Sequence, residues 1–200
     1  TNPPDDLESQ ISWLSGLAKY LQFMDVEEIT NFQQRIDWCE DLANSLTSER
    51  FLKHESPKVK CLVACCLSDI LRITENQDET KRLKLLQSHK LVYSLFSFFI
   101  DELGNLDKLQ PNHPDYSKYV HVLEMLHSVN AFEILIYCNE IGHRLMDELV
   151  LKWFSICFKF TVLYEESAHS NIFYKTTIKA KEMSTVLAVC SYMATSMENI

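Results

Sequence analysis

The sequence predicts an all-α protein, and three observations support this fold class. Hydrophobic residues make up 46% of the 200 residues, which is enough to bury a sizeable core. Only three glycines and five prolines occur, too few for the many tight turns of a sheet protein. Apolar residues recur at intervals of three and four along most of the chain, which is the spacing of one helix face.

The predicted fold is organised around the stretch Glu55–Ile73, in which a helix runs from Pro57 to about Ile73. Ser56 is a good N-cap residue, and Pro57 suits the first helical position because its missing N–H would be unpaired there anyway. Every residue from Cys61 to Leu67 is apolar, so this helix has no polar side along about two turns. We therefore expect a central helix with others packed around it.

Similar apolar stripes predict the other helices. One begins at about Asp6, and a second ends around Phe51. Ser88 can cap a helix that ends at Gly104, and another begins after Pro114. Two more helices are expected, over about 139–157 and 183–197.

The predicted helices follow one another in antiparallel pairs of about 40 residues, the period of HEAT or armadillo-type repeats. The pairs cover about 6–54, 56–108, 114–138 and 139–200. This spacing favours a HEAT-like α-α superhelix, although a closed helical bundle would show the same stripes. Because Thr1 is not Met and Ile200 follows an apolar helical pattern, we expect the chain to be a segment of a longer protein.

The cysteines are interpreted as free core thiols in a reducing compartment, because they lie within apolar helical patterns. Cys61, Cys65 and Cys66 could be considered, with His54, as the ligands of a metal ion. A continuous apolar helix cannot converge them on one ion, however, and no second ligand pair follows at the usual spacing. The same interpretation covers Cys138, Cys157 and Cys190.

No catalytic pattern is found in the sequence. It has neither the G-x-S-x-G nucleophile turn nor a glycine-rich phosphate loop, so we predict a protein that is not an enzyme and has no cofactor. The net charge of −9 argues against direct nucleic-acid binding. No apolar run reaches the about 18 residues that a membrane span needs, so no membrane contact is expected.

One stretch is basic within this acidic chain. From Lys53 to Lys90 the sequence contains eight Lys and Arg residues but only five Asp and Glu residues. A solvated helix rim explains this charge without any function. The functional alternative is a docking site for an acidic peptide segment or a small polyanion. Its candidate residues are Lys53, Lys58, Lys60, Arg72, Lys81, Arg82 and Lys84.

The run Phe51–Ile73, FLKHESPKVKCLVACCLSDILRI, resembles the N-terminal signature of the Pds-five (precocious dissociation of sisters) family of cohesin regulators. In that family a phenylalanine-leucine pair and a short turn lead into a leucine-valine-alanine-cysteine-cysteine-leucine helix. A looser resemblance covers Tyr119–Phe160. The chain departs from the family pattern at 74–80, where the aromatic and proline-rich turn is missing, and also at 127–137 and 164–177.

The resemblance implies a non-enzymatic HEAT-repeat scaffold that is nuclear and chromatin-associated. It also implies binding to cohesin subunits, including the kleisin, cooperation with the release factor Wapl, and support of cohesin acetylation. The alternative is an unrelated α-solenoid adaptor in trafficking or nuclear transport. A helical enzyme is the third possibility.

Overall fold

The computed structural model describes residues 3–24, 32–74, 88–110, 112–129 and 131. These residues form helices and no strands. The helices are α1 (Leu7–Gln22), α2 (Phe32–Leu46), α3 (Glu49–Leu52), α4 (Pro57–Thr74), α5 (His89–Leu103) and α6 (Tyr116–Ser128), with a 3-10 turn at Leu106–Lys108. None of the described helices is both long and apolar enough to cross a membrane.

Helix α4 is the centre of the packing, as predicted from its apolar run. It begins at Pro57 and contacts α1, α2, α3, α5 and α6. Every residue from Cys61 to Leu71 is buried, so the helix has no solvent-facing side over this length. Small side chains such as Ala64 and Cys66, both fully buried, leave room for neighbouring helices to approach closely.

Helix α1 packs on α4, is capped at its N-terminus and is joined to α4 at its C-terminal end. Asp6 is its N-cap, and the Asp6 carboxylate accepts a hydrogen bond from the Ser9 backbone N–H at 2.9 Å. That bond lowers the pKa of Asp6. At the other end, the Arg72 guanidinium of α4 donates to the Leu21 carbonyl at 2.7 Å. Helix α1 is therefore held against α4 by polar contacts as well as by the buried Leu14 and Leu21.

Helix α2 is shorter than the sequence predicts. We expected one helix to continue to about Phe51, but α2 ends at Leu46 and the separate turn α3 follows. The break lies at Ser48, whose backbone is extended (φ −63°, ψ 151°) and caps α3. Phe51 of α3 is buried and stacks on Trp13 of α1, with ring centroids 6.4 Å apart. The break thus turns the chain so that Phe51 enters the core.

The other predicted boundaries agree with the structure where it describes them. Helix α5 ends before Gly104, and α6 begins at Tyr116, shortly after Pro114. The structure does not describe the predicted helices at about 139–157 and 183–197. Of the segments that depart from the family pattern, it describes only Thr74, 127–129 and Ala131; the rest of 74–80 and 127–137, and all of 164–177, lie outside the described residues.

Replacing Gly16 with alanine is expected to raise the free energy of unfolding by about 0.5–1 kcal/mol. Gly16 lies inside α1, and a Cβ atom built there meets nothing within 4 Å. Alanine therefore brings better helix propensity without a steric cost. Urea unfolding of both proteins measures the difference, and a less stable Gly16→Ala variant would contradict the prediction.

Candidate partner-binding surface

Lys60, one of the predicted docking residues, forms an ion pair inside the molecule. Its Nζ atom lies 3.1 Å from Oε1 of Glu102 on α5. Glu102 is only 1% exposed, and its other oxygen accepts a hydrogen bond from the Tyr119 hydroxyl at 3.0 Å. This cluster joins α4, α5 and α6. The charge of Lys60 therefore compensates a buried carboxylate.

Arg72 is engaged in a similar way at the other end of α4. Its Nε atom lies 3.3 Å from the carboxylate of Asp69, which is 0% exposed. The second oxygen of Asp69 lies 3.0 Å from Nε2 of His121 on α6. Because Arg72 also donates to the Leu21 carbonyl, this cluster joins α1, α4 and α6. Arg72 is thus an interhelical contact residue.

Lys53 and Lys58 are the predicted docking residues that remain exposed in the described part of the chain. Lys53 Nζ lies 2.6 Å from the Glu49 carboxylate on the exposed side of α3. The hydrogen bond from Lys53 and its charge lower the pKa of Glu49, and Lys90 adds to this effect. Lys53, Lys90 and Glu49 thus lie near one another. Lys81, Arg82 and Lys84 lie outside the described residues.

The described thiols lie in the core, as predicted. Cys39, Cys61, Cys65 and Cys66 are all buried and free of disulfides. A hydrogen bond with Cys61 and burial raise the pKa of Cys65 well above its usual value, and burial also raises that of Cys66. Such thiols are poor nucleophiles because the reactive thiolate is disfavoured. Within the described residues, no group of three His, Cys, Asp or Glu is placed to hold a metal ion.

Raising the pH above 9 is expected to lower the free energy of unfolding, with the Cys39 thiol alone contributing about 2 kcal/mol of this loss by pH 11. Burial raises the pKa of Cys39 from 9.0 to about 11, and burial, Cys61 and Glu102 raise that of Tyr119. The unfolded chain therefore loses these protons first. The stabilisation is complete below pH 9 and is lost as the pH rises towards 11.

Urea unfolding under reducing conditions at pH 7.5, 9 and 10.5 measures this loss. A Cys39→Ala variant is the matched control, and its stability is expected to fall less steeply over the same range. Equal slopes for the two proteins would show that Cys39 does not contribute.

Sequence reasoning missed the buried carboxylates that receive these charges. Asp69 is one of the five acidic residues within the basic stretch, and nothing in the sequence places His121 beside it. A signal for Asp69 was available, because a charged residue inside an apolar helix needs a partner when it is buried. No similar signal in the sequence pairs Glu102 with Lys60.

The family model described as "Sister chromatid cohesion protein PDS5 protein" matches residues 8–178 of the chain. This match covers most of the sequence, including the whole of α4. The chain belongs to the PDS5 family. The resemblance seen at Phe51–Ile73 is thereby confirmed.

Three vertebrate members of the family illustrate the similarity. The PDS5 homolog A proteins of mouse and human are each 31% identical over 145 residues, covering 71% of this chain and 10% of their own length. The chicken PDS5 homolog A is 35% identical over 139 residues, covering 68% of this chain. The chain thus spans about 10% of the length of these relatives.

A solved structure of the Pds5–Scc1 complex has a similar fold. It matches 91% of this chain and 24% of its own chain with a TM-score of 0.61 and 14% identity. At this identity the match is evidence of fold. Together with the helical architecture, it confirms the predicted all-α, HEAT-like superhelix.

Proposed function

We propose that this chain is part of a non-enzymatic scaffold that associates with cohesin and regulates sister-chromatid cohesion. The observation that carries the proposal is the PDS5 family match over residues 8–178. The relatives are named sister chromatid cohesion proteins, and the structure with a similar fold is a complex with Scc1. Such a protein acts in the nucleus, on chromatin.

The architecture suits a scaffold. Polar contacts at both ends of α4 join this helix to α1, α5 and α6, so the four helices are held in a fixed arrangement. Extended helical arrays of this kind present broad surfaces to partner segments. The partners we propose are cohesin subunits including the kleisin, and a Wapl-type release factor.

Recovery of bound proteins from nuclear extract tests this function. The full-length protein, tagged and immobilised, is expected to retain cohesin subunits and a Wapl-type protein that are identified by mass spectrometry. Recovery of trafficking or nuclear-transport proteins without cohesin would instead favour the α-solenoid adaptor. A parallel assay of the 200-residue chain with a purified kleisin shows whether this segment binds it directly.

The anion-docking surface also stays a proposal, with Lys53 and Lys58 as its testable members. Reversing the charge of Lys60 or Arg72 would disturb the ion pairs with Glu102 and Asp69, so those changes cannot report on docking alone. Lys53 and Lys58 are exposed. Lys58→Glu and, separately, Lys53→Gln, which places no second carboxylate beside Glu49, are each expected to weaken binding of an acidic partner segment. Lys19→Glu on α1 serves as the exposed control for the single charge reversal. Unchanged affinity in both variants would remove the docking role.

A further inference from the structure

Three aromatic side chains are exposed where α1 ends and α2 passes it. Tyr20 is 60% exposed, Phe23 is 74% exposed and Trp38 is 40% exposed. The rings of Tyr20 and Trp38 meet edge to face, with centroids 6.2 Å apart and planes at 84°. We call Tyr20, Phe23 and Trp38 the aromatic corner. Single exposed apolar residues are ordinary, but large aromatic residues gathered from two helices are typical of interaction surfaces.

The core does not account for this exposure. Leu21, next to Tyr20, is fully buried, and Cys39, next to Trp38, is also fully buried. The two helices therefore direct other residues into the core and leave these rings on the outside. The corner is also fixed in position, because Arg72 of α4 donates to the carbonyls of Leu21 and Gln22 at the end of α1.

The charges around Trp38 favour a basic ligand. Asp41 is exposed on α2 and lies three residues after Trp38, so its side chain is on the same face of the helix. Asp37 is also exposed, but it has an interaction within the molecule. Arg35 is 8% exposed and has an interaction within the molecule. On α1, Lys19 is the exposed basic neighbour of Tyr20. A cation placed against the rings would therefore be attracted by their π-faces and by Asp41.

We propose that the aromatic corner binds a basic peptide segment of a partner protein. An arginine side chain of that segment lies against Tyr20 and Trp38, and its guanidinium pairs with Asp41. Arginine fits this surface well because its flat cation can stack on a ring while still donating hydrogen bonds to a carboxylate. The inference goes beyond the proposed function, since it holds whether or not the partner belongs to cohesin.

The test uses the whole 200-residue chain and two capped peptides, Gly-Ser-Arg-Gly-Arg-Ser-Gly and the same peptide with citrulline in place of arginine. Citrulline keeps the shape of the side chain but has no charge. Calorimetric titration is expected to show binding of the arginine peptide at least about tenfold tighter than the citrulline peptide. The indole N–H signal of Trp38, assigned with Trp38→Phe, is expected to shift as the arginine peptide binds.

Variants locate the binding surface. Trp38→Ala and Tyr20→Ala are each expected to weaken binding of the arginine peptide about five- to tenfold. Asp41→Asn is expected to weaken it less and to reduce its dependence on salt. Leu7→Ala, another exposed apolar residue of α1, is the matched control and is expected to change nothing. Circular dichroism and urea unfolding check that each variant folds.

Equal affinity for the two peptides, or no effect of Trp38→Ala and Tyr20→Ala in folded variants, would overturn the proposal. Self-association of the chain would also overturn the proposal if sedimentation showed it to depend on concentration and Trp38→Ala abolished it. The aromatic corner would then be an interface between copies of the chain. Failure to recover cohesin subunits in the nuclear-extract assay would not affect this result, so the two proposals can fail separately.

Discussion

Replacing Lys60 with methionine is expected to lower the free energy of unfolding by about 3 kcal/mol, because it leaves a buried carboxylate without its cation. Glu102 is 1% exposed, and the Tyr119 hydroxyl would be its remaining described side-chain partner. Methionine keeps most of the volume of the lysine stem, so the loss reports on charge more than on packing. Urea unfolding at neutral pH measures it.

The partner substitution provides the control. Glu102→Gln is expected to cost only about 1 kcal/mol, because the amide oxygen can still accept from Tyr119 and the Lys60 ammonium, 28% exposed, can reach water. The double variant should recover part of the loss caused by Lys60→Met. If Lys60→Met costs less than Glu102→Gln, Lys60 does not neutralise Glu102 and would be available for docking as the sequence suggested.

Replacing Leu67 with alanine is expected to cost about 3–4 kcal/mol, since it removes a side chain from the middle of α4 and leaves a cavity. Leu67 is buried, and α4 contacts every other described helix, so the surrounding side chains have little freedom to fill the space. Leu7→Ala on α1 is the control, because Leu7 is 50% exposed and its loss should cost well under 1 kcal/mol.

A loss below about 1 kcal/mol for Leu67→Ala would mean that the core around α4 can collapse onto the cavity. That result would contradict the description of α4 as a helix packed on all sides. A loss in the expected range would support it, since the cost of such a substitution grows with the rigidity of its surroundings.

The fold could be predicted in large part because its signals are local. The apolar run Cys61–Leu67 predicted a helix buried on all sides, and Pro57, Gly104 and Pro114 marked helix boundaries that the structure places close by. The break at Ser48 was not predicted, because residues 47–50 contain no glycine or proline, although the apolar stripe of α2 stops at Leu46, five residues before Phe51. Spacing reports which side of a helix is apolar and does not report whether the backbone continues.

The candidate surface could be predicted less well because its contacts join residues far apart in sequence. The basic stretch was read as one set, yet Lys60 and Arg72 pair with buried carboxylates while Lys53 and Lys58 face solvent. The sequence also does not show that Trp38 meets Tyr20. These assignments depend on how helices pack, which helix periodicity does not determine.

The central claim is that α4 is buried in the core, away from water, and that its thiols have a structural role. Alkylation of the native chain tests this claim most directly. The folded chain is treated with iodoacetamide at pH 8, and modification is followed peptide by peptide by mass spectrometry, with a urea-unfolded sample as reference. Cys61, Cys65 and Cys66 are expected to stay unmodified in the folded chain and to react fully in urea. Rapid modification of these three thiols in the folded chain would contradict the account.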